Sequence, residues 1–171
     1  MEKDVYIVRD LNSNSSVTEE IASNNFLYEY RLLDNSIQES NRFISKALSI
    51  PLASKIFCFE KLRIVEGRPR SIDKVYIDYN RVPGIEKLNL VDGSFYTILK
   101  REYGIETNQS EEEILVVDAN ERETRLLDLD KGSEVLLIKG NTYVNDHEPF
   151  EYFEVTSRSD FYRFRSVTYL R

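Results

Sequence analysis

The chain has 171 residues, 41% hydrophobic and 31% charged, with a formal net charge of −7. That is enough for one domain with a sizeable core, and 11 Tyr with 9 Phe exclude a disordered chain. The acidic balance argues against a nucleic-acid-binding surface, which carries a basic patch, but a local positive field can still hold a small anion.

The N-terminal run Val5-Tyr6-Ile7-Val8 reads as a short strand, and the polar stretch Asp10-Leu11-Asn12-Ser13-Asn14-Ser15-Ser16 after it as a linker. Ser16-Val17-Thr18-Glu19 has the capping-box pattern and predicts a helix to about Asn24. Residues 26–34, FLYEYRLLD, are strand-rich. A second capping-box pattern, Ser36-Ile37-Gln38-Glu39, predicts a helix through SNRFISKAL.

Beyond Pro51, KIFCFEKLRIV and SIDKVYIDY predict two strands joined by the turn Glu66-Gly67-Arg68-Pro69. A helix is expected over 94–103, opening at Gly93-Ser94 and closing at Gly104. TNQSEEEILVVDA supplies a further strand, and Asn120-Glu121-Arg122-Glu123 starts a helix ending near Leu127. EVLLIKGNTYV is a strand, NDHEP a turn, and FEYFEVTSRSD and FYRFRSVTYL two more strands. Hairpins outnumber βαβ units, which predicts an α+β fold: an antiparallel β-sheet with helices packed on it.

No GxGxxG, Walker A or GxSxG motif is present, so the common phosphate loops and the nucleophile elbow are missing. Lone His147 and lone Cys58 have no partner at metal-ligand spacing, so no metal and no cofactor is expected. No apolar run reaches the roughly 18 residues of a membrane span. MEKDVYIVRD lacks the apolar core of a signal peptide, and one cysteine can form no internal disulfide. A cytoplasmic location is the expectation.

Charged residues inside apolar strands are the informative feature. Lys61 and Arg63 stand two apart and share a face, Asp73 alternates with Val75 and Ile77, and Glu151 with Phe153 and Val155. Such charges pair internally, lie on an edge, or meet a ligand. The helix at Ser94 has no acid in its first turn, unlike the helices expected near Ser16, Ser36 and Asn120, although Asp92 lies just upstream. Ser94 is then either a plain N-cap or a cap that shares its helix terminus with an anion.

KLRIVEGRP followed by SIDKVYI, then VPGI, GSFYTILKREYGI, LLDLDKGSEVLLIKGNTYV and EPFEYFEVTSRSDFYRF occur in the order found in the UTRA domain. The chain resembles this effector-binding half of GntR-type bacterial repressors of the HutC subfamily over about residues 16–171. Residues 1–15 resemble the last wing strand of a winged helix-turn-helix domain and the interdomain linker, with the DNA-binding domain itself absent. The resemblance implies a chorismate lyase-like fold without catalysis, a homodimer, and operator DNA contacted only through the missing domain. It also implies a small-molecule effector, in many members a sugar phosphate, that alters DNA affinity, with relief of repression the expected sense.

On that resemblance the phosphate ligands fall on Ser16, Lys61, Arg63, Ser94 and Tyr96, and the sugar ligands on Asp73, Glu151 and Ser157. This chain has Lys61 where the family often has Arg, Asp73 where some members have Glu, and Ser157 near a position where an aromatic hydroxyl occurs. Two other readings stand beside it: an enzyme of the same fold acting on a small anion, and a UTRA domain sensing a non-phosphorylated organic acid.

Overall fold

A computed structural model describes residues 4–13, 15–145 and 147–170. Asn14 of the expected linker and Asp146 of the expected NDHEP turn lie outside the described residues. The architecture is α+β, as the strand and helix order predicted.

Six strands form one antiparallel sheet: β2 (Tyr28–Glu39), β3 (Lys55–Val65), β4 (Arg68–Asp78), β5 (Gln109–Asp118), β6 (Glu134–Asn145) and β7 (Glu148–Arg158). Their spatial order is β2-β3-β4-β7-β6-β5. Two further strands, β1 (Ile7–Asp10) and β8 (Tyr162–Arg165), pair in parallel as a separate two-stranded sheet. The predicted strand through FYRFRSVTYL therefore stops at Arg165. β3 and β4 are joined by Glu66 (φ 52°) and Gly67 (φ 73°), both left-handed, as a two-residue hairpin turn that matches strand twist requires.

The predicted helix at Ser36 is not formed. Residues 36–39 continue β2, which pairs with β3 in register from Tyr28↔Val65 to Glu39↔Lys55 with one bulge between Leu32 and Asp34. A long ladder of interstrand bonds outweighs a local capping pattern. The helix starts later, as α2 (Arg42–Leu48), and its N-cap is Asn41, whose side chain accepts from Ile44 N. It has no acid in its first turn.

The other helices fall where predicted: α1 (Val17–Ser23), α3 (Phe95–Tyr103) and α4 (Glu121–Leu126). Gly104 closes α3 in the left-handed region (φ 66°). α4 carries the complete capping box of Asn120 and Glu123.

The helices divide between the two faces of the sheet. On one face α3 and the short 3-10 turns 79–81 and 85–87 bury Phe57, Phe59, Ile77, Phe95, Ile98, Leu99 and Phe150 together. On the other, α2 covers Ile56 and Tyr152, and Leu127 after α4 covers Leu62, Ile72 and Val135. β3 is thus buried on both sides from Ile56 to Arg63, which is why its sequence shows no clear alternation.

Register across the sheet is reinforced by charge. Glu60 pairs Lys74, Lys74 pairs Glu154, Glu154 pairs Lys139, and Lys139 pairs Glu113. Each unlike pair contributes roughly 0.2–1 kcal/mol, and a one-residue slip would put the row on the cavity face. Arg122 of α4 closes the row with a 2.6 Å bond to Glu60.

Candidate ligand-binding site

Beneath α3 the sheet leaves a cavity of about 560 Å³. Its floor is made by Phe59, Lys61 and Arg63 of β3, Asp73 and Val75 of β4, and Phe153 and Val155 of β7. The first turn of α3 forms one wall, and Arg9, Asp10, Leu11, Ser13, Ser15 and Ser16 with the start of α1 another. Gln109, Ser110 and Glu112 at the start of β5 close a third side. That closure depends on Gly140 of β6, because a Cβ there would lie 1.8 Å from the Glu111 carbonyl oxygen.

Five ionisable side chains dominate the site: Lys61, Arg63, Asp73 and Tyr96, which line it, and Glu151 behind Tyr96. Lys61 is 5% exposed, and its ammonium lies 3.8 Å from the Tyr30 ring centroid. Among the described residues no carboxylate stands within ion-pair distance of it. Burial pushes its pKa down to about 8, against the upward pull of Asp73.

Arg63 is fully engaged on one side only. Its Nη2 lies 2.5 Å from Asp73 Oδ2, its Nη1 donates to Tyr162 Oη at 2.7 Å and Ser71 Oγ at 3.4 Å, and its buried Nε has no hydrogen-bond partner. Burial opposes the guanidinium charge, but Asp73 more than restores it. Ser71 Oγ donates to the other Asp73 oxygen at 2.8 Å.

Glu151 is fully buried at the inner end of the site, with Oε2 unpartnered. The Tyr96 hydroxyl makes a short hydrogen bond to its Oε1. Burial raises Glu151 to about 7. Burial and then the Glu151 carboxylate hold the Tyr96 phenol well above its usual range. Thr142, on the cavity wall beside Glu151 in the β6–β7 register, offsets part of the rise in the Glu151 pKa, and its buried hydroxyl has no other partner among the described residues.

Helix ends separate by face. Asn41 and Asn120, which cap α2 and α4, bond the first-turn backbone. Ser16 and Ser94, which cap α1 and α3, make no side-chain cap bond, and both line the cavity. Because α2 also has no first-turn acid, that feature does not single out α3. The idle serine hydroxyl and the cavity do. Asp92 is exposed and is not among the residues lining the cavity.

The structure therefore gathers Ser16, Lys61, Arg63, Asp73, Ser94 and Tyr96 around one cavity, with Glu151 directly behind Tyr96. Ser157 is separate. It is fully buried outside the lining and spends its hydroxyl on the Arg70 and Arg158 carbonyls. Sequence reasoning missed Thr142, Tyr162 and the β5 wall. Thr142 carried a usable signal, because in a hairpin it falls opposite Glu151.

A mixed-charge cavity of this size on an antiparallel sheet is suited to a small molecule. The UTRA domain model matches residues 23–163, and the chain belongs to that family: it is an effector-binding domain of the GntR-family regulator type. Among curated proteins it is 25% identical over 150 residues to the HTH-type transcriptional repressor NagR of Bacillus subtilis (strain 168), covering 88% of this chain. It is 24% identical over 128 residues to the HTH-type transcriptional regulator TreR of the same organism, covering 75% of this chain. The chain spans only 61% and 53% of those two relatives.

Solved structures agree on the fold. PhnF from Mycobacterium smegmatis superposes with TM-score 0.88 at 19% identity, covering 97% of this chain and 73% of that one. The effector domain of the same protein gives 0.87 at 20% identity, covering 96% and 100%.

Proposed function

We propose that residues 16–171 are the effector-sensing and dimerisation domain of a HutC-type regulator, a cytoplasmic repressor of a sugar uptake or catabolism operon, and that its effector is a phosphorylated sugar. Residues 1–15 would link it to a winged helix-turn-helix domain that contacts the operator. The phosphate lies at the N-terminus of α3, where first-turn N–H groups have no intrahelical acceptor. Ser94 and Ser16 supply hydroxyls, Tyr96 a phenol, and Lys61 and Arg63 the charge. Asp73 and Glu151 accept from sugar hydroxyls.

One observation carries this reading: Lys61 is a buried ammonium, facing a cavity, with no carboxylate in ion-pair contact among the described residues. A buried unpaired charge is costly, and an anionic ligand supplies the missing partner.

The route to DNA runs through the cavity wall itself. Arg9, Asp10, Leu11, Ser13 and Ser15 line it, so a ligand touches the linker directly. Arg9 also bonds Glu112 of β5 at 3.3 Å, tying the linker across the cavity mouth. The effector relieves repression by favouring one dimer arrangement over another.

A thermal-shift panel of sugar phosphates beside their unphosphorylated sugars tests the proposal. At about 100 times Kd the phosphorylated effector stabilises by roughly 2.7 kcal/mol. Equal shifts from a sugar and its phosphate would refute the anion site, and selective stabilisation by a carboxylic acid would favour an organic-acid sensor.

A further inference from the structure

Two donors suited to an anion, Arg63 Nη2 and the Tyr96 hydroxyl, are already bonded to acceptors suited to a hydroxyl. Arg63 holds Asp73 at 2.5 Å, and Tyr96 holds Glu151. We propose that Asp73 and Glu151 stand in for the ligand's phosphate, and that binding exchanges both pairs together. The phosphate takes Arg63 Nη2 and the Tyr96 hydroxyl, and the two carboxylates are released to sugar hydroxyls. This rests on the sugar-phosphate reading above and gives the two carboxylates a second role, as a filter against free phosphate.

The geometry allows the exchange with little else disturbed. Arg63 stays anchored through Nη1 to Tyr162 and Ser71, so only Nη2 changes partner. Asp73 keeps its Ser71 bond through Oδ1. The Tyr96 hydroxyl is buried against Glu151, but the residue as a whole is 39% exposed in the first turn of α3, where a rotamer change is open to it. Glu151 is 0% exposed and absent from the cavity lining, so a ligand reaches it only once Tyr96 has moved.

Selectivity follows from what each partial ligand leaves behind. Inorganic phosphate takes the two donors and strands two buried carboxylates. An unphosphorylated sugar takes the carboxylates and strands a buried guanidinium. Each stranded charge is strongly unfavourable. Only a molecule with an anion at one end and hydroxyls at the other satisfies all four groups.

Isothermal titration with inorganic phosphate tests the exchange. Glu151→Gln and Asp73→Asn each weaken the internal pair and should tighten phosphate by about tenfold, the scale of one charge-assisted hydrogen bond. In a Tyr96→Phe background the gain from Glu151→Gln should vanish, and in an Arg63→Met background so should the gain from Asp73→Asn. Tyr96→Phe alters a partly exposed side chain, so that arm stands even where Arg63→Met does not fold. Asp92→Asn, which removes an exposed carboxylate just upstream of α3 and outside the cavity lining, should change phosphate affinity by less than about twofold.

A gain of equal size in Asp92→Asn, or one that persists in Tyr96→Phe, would reduce the effect to general electrostatics and overturn the exchange. Absence of any gain, with a sugar phosphate still stabilising the wild type, also overturns it and leaves the site reading intact. Failure of every sugar phosphate to stabilise the wild type removes the site reading instead.

Discussion

Lys61 makes the binding of an anion a proton-linked event. Its pKa is about 8, below its ordinary value of 10.5. The sign for folding follows: with a depressed lysine, the stability is present above pH 10.5 and is lost as pH falls through 8. A phosphate beside the ammonium favours the charged form and draws the pKa back toward 10.5. Full restoration gives the bound and free forms different proton counts between pH 8 and 10.5. From the two pKa values, phosphate-ester affinity should fall about 25-fold between pH 7 and pH 9.5.

The window lies above the second ionisation of a phosphate monoester, near pH 6, so the ligand's own charge is constant across it. Titration calorimetry in buffers of different ionisation enthalpy reads the proton directly, as uptake of about half a proton per site at pH 8. Lys61→Met should bind more weakly and show no pH dependence in this range. A wild-type affinity flat from pH 7 to 9.5, or a slope that survives in Lys61→Met, would refute the linkage.

Three further predictions concern stability. Glu151 is raised from 4.5 to about 7, so the fold loses stability as pH rises through that interval, on the order of 3 kcal/mol in all. Denaturant titrations should find Glu151→Gln more stable than wild type at pH 8 and little different near pH 4. Gly140→Ala drives a methyl onto the Glu111 carbonyl and should destabilise by at least about 2 kcal/mol, with loss of hydrogen-exchange protection along β5. The two kinds of helix cap should separate cleanly. Asn120→Ala should cost about 1 kcal/mol of stability and leave ligand affinity unchanged, whereas Ser94→Ala should do the reverse.

Most of the fold was legible in the sequence because its local signals agree with its tertiary demands. Strand alternation, the Glu66-Gly67 turn, the Gly104 stop and the Asn120 box each name an element that forms. Ser36 fails for the opposite reason: its capping pattern is sound locally, but β3 offers it a ladder partner that the local window does not contain. Lys61, Arg63, Asp73 and Glu151 could be picked out as charges alternating with apolar residues in strands, and spacing alone puts Lys61 and Arg63 on one side. Their mutual pairing could not. Arg63 meets Asp73 only because β3 and β4 pair in one register, and Tyr96 meets Glu151 across 55 residues of chain. Ser157 shows the limit of carrying roles by position, since a two-residue step along β7 leaves the cavity.

The most direct test of the binding site is a crystal structure of the protein soaked with the sugar phosphate that stabilises it most. Phosphorus density within hydrogen-bond reach of Ser94 and the α3 first turn, beside Lys61, with Tyr96 turned away from Glu151, is the expected result. Phosphate density outside this cavity, or in it with Ser94 and Lys61 untouched, would contradict the site.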